Sequence, residues 1–325
     1  MPSEPSWRRI AVERYGLDRA TLIEERTHHS RHYFISVNNV RYVLSQVRRS
    51  PGRPPFPLQF RIIDLLIAAG VESVRHPVLT LNRDKYTQDQ NCYWFLRAYR
   101  HTDTVFWSAS PGLVTQAAHA LADVHRAGHV RNPGVPGLHH PRRDGMAPYY
   151  RTVDAFLDTV DTIYRGFDAS ALTGDDCDLL DRTLERLRHD SRDVLDTARE
   201  HGLCGITHHD YRPDNLLVRH GRIAEIIDWD CAFVDHQLYD VGFAALQFGQ
   251  RQRLRDNSLG HAELFIEEYL RGRRIRNLPE AVTWWFLRFV VVKRLLINGS
   301  NAERIRLLHA IEEHRPLARA PQPAH

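Results

Sequence analysis

Apolar and polar positions change their rhythm once along this chain, near Tyr99. Before it, short runs alternate with period two. Tyr33-Phe34-Ile35-Ser36-Val37, the pair Asn38-Asn39, and Val40 to Val47 read as a β-hairpin with a tight turn. After the Pro-rich breaker Ser50 to Pro57, Phe60, Ile62, Ile63, Leu65, Leu66 and Ile67 recur at helical spacing and stop at Gly70. Val78-Leu79-Thr80-Leu81 and Cys92 to Leu96 flank a polar stretch, Asn82 to Asp89, and predict a second strand pair.

From Ser110 the period becomes helical. Leu113 to Ala127 carries Ala, Leu and Val at i+3 and i+4, and two or three further helices are expected between Tyr150 and Arg199. The Gly-, Pro- and His-rich segment His129 to Pro148 interrupts them. Gly205-Ile206-Thr207 and Ile223 to Ile227 read as short strands bracketing a loop, and three helices are expected between Gly260 and Glu313, followed by a loose tail, Arg315 to His325. The pattern predicts an α+β chain of two lobes, a β-rich lobe over residues 1–99 and a mainly helical one over 100–325.

Composition narrows the class. At 325 residues and 42% hydrophobic, the chain has material for two cores. No apolar run approaches the roughly 20 residues of a membrane span. Met1 to Arg9 lacks the apolar stretch of a secretory signal, so a cytoplasmic protein without membrane attachment is expected. Cys92, Cys177, Cys204 and Cys231 form no CxxC pair and suggest neither disulfides nor zinc. A net charge of +4 with no basic stripe argues against nucleic acid as a partner. Lys85 and Lys293 are the only lysines, so a basic group needed elsewhere has to be arginine or histidine. Monomer and homodimer are both compatible with the sequence.

The chemistry concentrates in His208-His209-Asp210-Tyr211-Arg212-Pro213-Asp214-Asn215 and in Ile226-Ile227-Asp228-Trp229-Asp230. The first matches the kinase catalytic-loop pattern H-x-D-x-x-x-x-N, and the second ends an apolar strand in an acid. Phosphoryl transfer needs an oriented hydroxyl, metal ions on the donor phosphates and cations for the equatorial oxygens. Asp210 is the expected base, Asn215 and Asp228 the expected Mg²⁺ ligands, and Arg212 the expected transition-state cation. Asp235 and Asp240 read as structural, Asp240 as a helix cap or a buried anchor for the loop; His208 reads as a packing residue, and His209 and His220 as solvated. Asp230 is open between metal ligand and solvent.

At these residues the chain resembles the aminoglycoside phosphotransferase and choline kinase-like superfamily, which shares the protein-kinase fold. The likeness is strong over Gly205 to Leu246. It is weaker over Tyr42 to Pro77, where Tyr-Val-Leu and Ile-Ile-Asp-Leu-Leu-Ile-Ala-Ala-Gly look like type II homoserine kinases and sugar kinases. Leu121-Ala122-Asp123-Val124-His125 is similar to the family's L-A-x-L-H stretch. The resemblance implies a bilobal protein-kinase-like fold and Mg²⁺-dependent transfer from ATP or GTP to a small-molecule hydroxyl, with Ser30, Val43, Ser45, Leu96 and Tyr99 around the nucleotide. Two departures stand out. The cover segment Arg26 to His32 has no glycine, and the strand position of the ATP-orienting lysine falls on Ser45. The partner glutamate is missing from the helix too, where Gln59, Arg61 and Asp64 are the nearest polar residues; Arg212, Arg41 or Arg48 are the candidate replacements.

Arg151 to Glu185 holds nine acidic residues against three arginines, a surface that would draw a cationic acceptor and equally reads as a solvated helix face. The acceptor is open among an amino-sugar or nucleoside antibiotic, which would imply a resistance role, a free sugar, and an amino alcohol such as homoserine. A catalytically silent kinase fold that binds nucleotide or ligand is the alternative from another class. A protein kinase is disfavoured by the short span from Asp228 to Asp240.

Overall fold

In the computed structural model, residues 6–27, 30–48, 53–105, 110–129, 147–251, 259–299 and 302–314 are described. The period-two segment forms one antiparallel sheet of β1 (Thr21–Thr27), β2 (Arg31–Val37), β3 (Val40–Arg48), β4 (Thr87–Asp89) and β5 (Cys92–Ala98), in the order β1-β2-β3-β5-β4. Asn38 and Asn39 close the β2–β3 hairpin with φ of 49° and 66°. A two-residue turn with left-handed backbone matches strand twist, and asparagine tolerates that region.

The sheet buries its two faces against different partners. A short helix that the sequence reading did not anticipate, α1 (Ser6–Tyr15), lays Trp7, Ile10, Ala11 and Tyr15 onto Tyr33, Ile35, Leu44, Trp94 and Leu96. The other face meets α2 (Phe56–Ala68), the helix expected before Gly70. Phe56 stacks on Tyr93 with ring centroids 4.3 Å apart. The expected strand at Val78 to Leu81 is corrected: Val78 makes a single bridge to Leu96, and the partner of β5 is β4, drawn from the polar stretch. Turn chemistry prevails there, since Thr80 N–H donates to the Asp84 carbonyl and Asp84 N–H donates to Thr80 Oγ1, which leaves Leu81 largely exposed.

The second lobe is helical, with α3 (Pro111–Ala127), α4 (Val153–Leu157), α5 (Val160–Arg165), α6 (Gly174–Glu200), α7 (Leu238–Arg251), α8 (Gly260–Arg273), α9 (Glu280–Asn298) and α10 (Ala302–His314). Two hairpin-like pairs are set into it: β6 (Cys204–Thr207) with β9 (Phe233–His236), and β7 (Leu216–Arg219) with β8 (Arg222–Ile226). Helix α9 is apolar on nearly every side and buried without a break over residues 282–293, packed against α7, α6 and α10. β6 presses against the end of α3: Ile206 N–H donates to the Gly128 carbonyl at 2.9 Å, and a Cβ on Gly205 would fall 2.3 Å from that oxygen. No described helix is long and apolar enough to cross a membrane. The tail 315–325 and most of the break at 129–148 lie outside the described residues.

The acidic stretch contributes much of its charge to the fold. Asp176 completes a capping box with Thr173 at the start of α6, Asp161 pairs with Arg188, and Asp181 accepts a bond from the Tyr164 hydroxyl. Asp154 joins α4 to Arg199 at 3.1 Å and to buried His236 at 3.3 Å. Burial alone disfavours a charged His236, but the bonds to Asp154 and Cys204 outweigh it and raise the pKa to about 9. A histidine whose folded pKa exceeds its unfolded value of about 6.5 contributes stability that is complete below that value and lost as pH rises through the folded one. The melting temperature of the wild type is therefore expected to fall between pH 7 and pH 10 by an amount equivalent to about 1–3 kcal/mol, and Asp154→Asn to flatten that fall. Parallel melting curves for the two proteins over this range would show that the pair carries no such linkage.

Candidate active site

Leaving β6, the chain turns inward at His208 and is held by one carboxylate. Asp240, fully buried in the first turn of α7, accepts the His208 N–H at 2.5 Å and the His209 N–H at 2.8 Å. It also accepts from His125 Nε2 of α3 at 3.1 Å. His125 Nδ1 in turn accepts the Tyr269 hydroxyl of α8 at 2.8 Å. Burial holds His125 neutral, which fits this tautomer. For Asp240, burial works to raise the pKa, but the hydrogen bond it accepts from His125 outweighs it and holds the carboxyl below the usual carboxylate range. Of the two roles expected for Asp240, the anchor is correct and the helix cap is not.

His209 corrects a second expectation. It is buried rather than solvated, at a φ of 63°, with its ring between Phe233 and Tyr239 at centroid distances of 4.0 and 4.2 Å. Its Nε2 donates to Asp235 at 3.1 Å, and Asp235 also accepts the Val153 N–H. His209 thus occupies left-handed backbone, the region glycine adopts most easily, with an aromatic slot for its ring. His208 Nε2 donates to the Ile227 carbonyl at 2.9 Å, tying the two motif segments together, and His220 is exposed in the β7–β8 turn as expected.

Asp210 itself is mostly buried. Its Oδ2 accepts from Asn215 Nδ2 at 3.0 Å, and its Oδ1 accepts the Tyr149 hydroxyl at 3.3 Å. Arg212 Nε approaches Oδ2 at 3.3 Å, and Arg294 of α9 comes within 4.0 Å of Oδ1 with its guanidinium over Tyr149 and Phe243. Tyr211 pins the loop from below, its hydroxyl donating to the Ala117 carbonyl at 2.7 Å. Ile227 N–H donates to the Asn215 carbonyl at 2.9 Å, which brings Asp228 beside Asn215. Asp228 is exposed to the cleft at φ 69° and ψ 55°, a left-handed conformation that costs a non-glycine residue and is common at functional sites. Asp230 pairs with Arg53 at 3.0 Å; burial and then the charge of Asp228 push its pKa up to about 7.

Among the described residues no three His, Cys, Asp or Glu side chains cluster as a metal cage. Magnesium needs no such cage, taking one or two protein oxygens and filling its shell with water and phosphate. The Asn215 amide spends its N–H group on Asp210, which turns its oxygen outward, and no described residue hydrogen-bonds the Asp228 carboxylate. Both groups fit that ion.

Above them lie two connected cavities between the lobes. One, of about 390 Å³, is lined by Ile23, Phe34, Val43, Tyr99, Leu217 and Ile227. The other, of about 210 Å³, reaches Ser30, Val47, Phe95, Asn215, Asp228 and Asp230. His32, Arg97, Glu225 and Ile227 line both. A larger depression of about 860 Å³ between α2, α3 and the β7–β8 turn contains none of the catalytic-loop residues.

Ser30, Val43 and Tyr99 thus face the cleft. Leu96 does not. It pairs across the sheet with Leu44, and cross-strand partners share a face, so it is buried under α1 while its neighbours Phe95 and Arg97 face the cavity. Ser45 is fully buried and lines neither cavity, its hydroxyl bonded to His32 Nδ1 at 2.9 Å. On α2, Gln59 reaches the cleft with an unpartnered amide nitrogen, whereas Asp64 is turned away to Lys85. Of the candidate replacement cations, Arg41 stands at the cavity mouth over Tyr99 and Arg48 is exposed at the strand end. Sequence reasoning missed Arg97, Glu225, Tyr149 and Arg294.

Residues 21–285 match the family model of the phosphotransferase enzyme family, and the chain belongs to that family. It is a small-molecule phosphotransferase with an alcohol as acceptor. The bilobal fold is shared with an amicoumacin kinase solved with AMP-PNP and Ca²⁺ (TM-score 0.63, 15% identity, covering 94% of this chain and 91% of that one). It is shared as well with a microcompartment-associated aminopropanol kinase (TM-score 0.61, 19% identity, 93% and 92%). A spectinomycin phosphotransferase solved with ADP and spectinomycin gives a TM-score of 0.57 at 16% identity over 96% and 95%. A search of curated proteins found no match.

Replacing Asp240 by alanine would leave two buried N–H groups and His125 without their acceptor. Asp240→Ala is expected to cost about 3–5 kcal/mol in urea unfolding, and Asp240→Asn clearly less, because the amide oxygen still accepts. Equal and small losses for both would show that the loop is held by something else.

Proposed function

We propose that the chain transfers the γ-phosphate of ATP or GTP to the hydroxyl of a small molecule, with residues 1–99 as the nucleotide lobe and 100–325 carrying the chemistry. The observation that carries this is the bonded pair Asp210–Asn215 with Asp228 alongside, three acceptor-rich side chains from two segments, of which Asn215 and Asp228 line the smaller cavity. The acceptor hydroxyl lies against Asp210, which orients it and takes its proton as the oxygen attacks phosphorus and the nucleoside diphosphate leaves. Tyr149 and Asn215 hold the carboxylate in that pose. Asn215 and Asp228 are the ligands for Mg²⁺, which when bound supplies positive charge to the donor phosphates. Arg212, against Asp210 and partly exposed, is placed to meet charge developing on the transferred group. The base of the nucleotide occupies the apolar slot between Val43, Tyr99, Leu217 and Ile227; nothing in its lining favours adenine over guanine.

For the acceptor, a second cation beside the base supports one choice among the alternatives. Arg294 faces Asp210, whereas Asp154, Asp161, Asp176 and Asp181 of the acidic stretch are engaged within the fold. A neutral or carboxylate-bearing alcohol, such as a sugar or a homoserine-like amino acid, suits this surrounding better than a polycationic amino-sugar.

The test is a panel of sugars, hydroxy amino acids, amino alcohols and aminoglycosides assayed for Mg²⁺-dependent transfer from ATP and GTP. Turnover is expected with a neutral or carboxylate-bearing alcohol, Asp210→Ala to lower kcat by about 10²–10⁴-fold, and Arg212→Ala to lower it by about tenfold or more. Nucleotide binding with no transfer to any acceptor would favour the silent binding fold, and activity surviving Asp210→Ala would overturn the mechanism.

A further inference from the structure

The donor phosphates lack their usual grip, because Ser45 stands where a lysine is expected and spends its hydroxyl on His32. We infer that Arg97 of β5 takes that place and holds a phosphate of the donor nucleotide, with Glu225 as its positioning partner. This rests on the proposed phosphotransfer.

Geometry puts the guanidinium at the right depth. Arg97 pairs with Val43 on the neighbouring strand, two residues before Ser45, and so points from the same face of the sheet. Adjacent strands are roughly 4.8 Å apart, a gap that the long arginine side chain spans. It lines both the base slot and the cavity that contains Asn215 and Asp228.

Its hydrogen-bonding state points to a missing partner. Arg97 Nε is buried and has no acceptor among the described residues. The closest carboxylate in charge terms, Glu225, is itself bonded by Arg100 Nε at 2.9 Å and does not accept from Arg97 Nε. Burial disfavours the charge on Arg97, while Glu225 and then Asp228 support it. A guanidinium remains protonated even so, and its paired N–H donors match two phosphate oxygens.

Arg53 pairs with Asp230, Arg41 lies over Tyr99 outside the cavity of Asn215 and Asp228, and Arg75 is exposed at the rim. Arg212, whose Nε also lacks a hydrogen-bond acceptor, stands beside Asp210 and serves the transferred group, while Arg97, over the Phe95 ring, lines both cavities. The loss of the helix glutamate then follows. With no lysine on β3 to orient, α2 presents the neutral Gln59 to the same cavity, and the acidic partner has moved with the cation to β8.

Calorimetric titration of Mg·ATP, Mg·GTP and the matching free nucleosides tests this on the full chain. Arg97→Met is expected to weaken the nucleotide by about tenfold or more while leaving the nucleoside within about twofold, and Arg97→Lys to fall between. Adding Ser45→Lys to Arg97→Met should recover part of the loss, a rescue that a merely structural arginine would not permit. Nucleotide affinity unchanged in Arg97→Met, or equal losses of nucleotide and nucleoside in both a folded Arg97→Met and a folded Arg97→Lys, would overturn the inference. Wild type that binds nucleotide through Arg97 and transfers phosphate to nothing would sink the phosphotransfer reading alone. Wild type that binds neither nucleotide would sink both.

Discussion

A single buried carboxylate organises the catalytic lobe. Asp240 accepts two backbone N–H groups of the catalytic loop and one imidazole, and that imidazole reaches α8 through Tyr269. A charge so far from water is stable only if every lone pair is used, so the loop, α3, α7 and α8 cannot move independently without exposing it. The position of Asp210 is fixed as a result: its backbone follows directly from the two anchored residues, and Tyr211 adds a second tether to α3.

The same economy explains the histidine at 209. Left-handed backbone is forced by the turn that both N–H groups make toward Asp240, and glycine is the easy residue for it. Here the strain of a side chain is offset by stacking on Phe233 and Tyr239 and by the bond to Asp235, which also receives the start of α4. His209 makes the turn a packed junction between the loop, β9 and the helices behind it.

On the nucleotide side, charge is distributed unlike that of a lysine-dependent kinase. Cations reach the cleft as arginines from several elements, Arg53 before α2, Arg97 on β5, Arg212 in the loop and Arg294 on α9. Three of them have carboxylate neighbours within 4.0 Å, namely Asp230 for Arg53 and Asp210 for the other two. Arg97 is the one with no carboxylate that close, and its buried Nε, like that of Arg212, has no hydrogen-bond acceptor among the described residues.

Local rules decided a good deal. The Asn38-Asn39 hairpin, the helix before Gly70 and the fixed spacing of Asp210, Asn215 and Asp228 are written in short stretches, because turn geometry, helical period and loop length act over a few residues. Those features led to the family and the bilobal fold from the sequence alone. Long-range pairing was not legible in the same way. Whether Leu96 or Arg97 faces the cleft depends on which residue of β3 lies opposite, a one-residue choice that inverts every side chain on the strand. Whether His209 is wet or buried depends on Phe233 and Tyr239 arriving from β9 and α7. The acidic stretch looks like a free surface until Arg188, Arg199 and His236 are brought to it by folding. The sequence determined the spacing of the candidate residues Asp210, Asn215 and Asp228; tertiary structure decided which charges are already satisfied, because satisfaction is a property of neighbours far away along the chain.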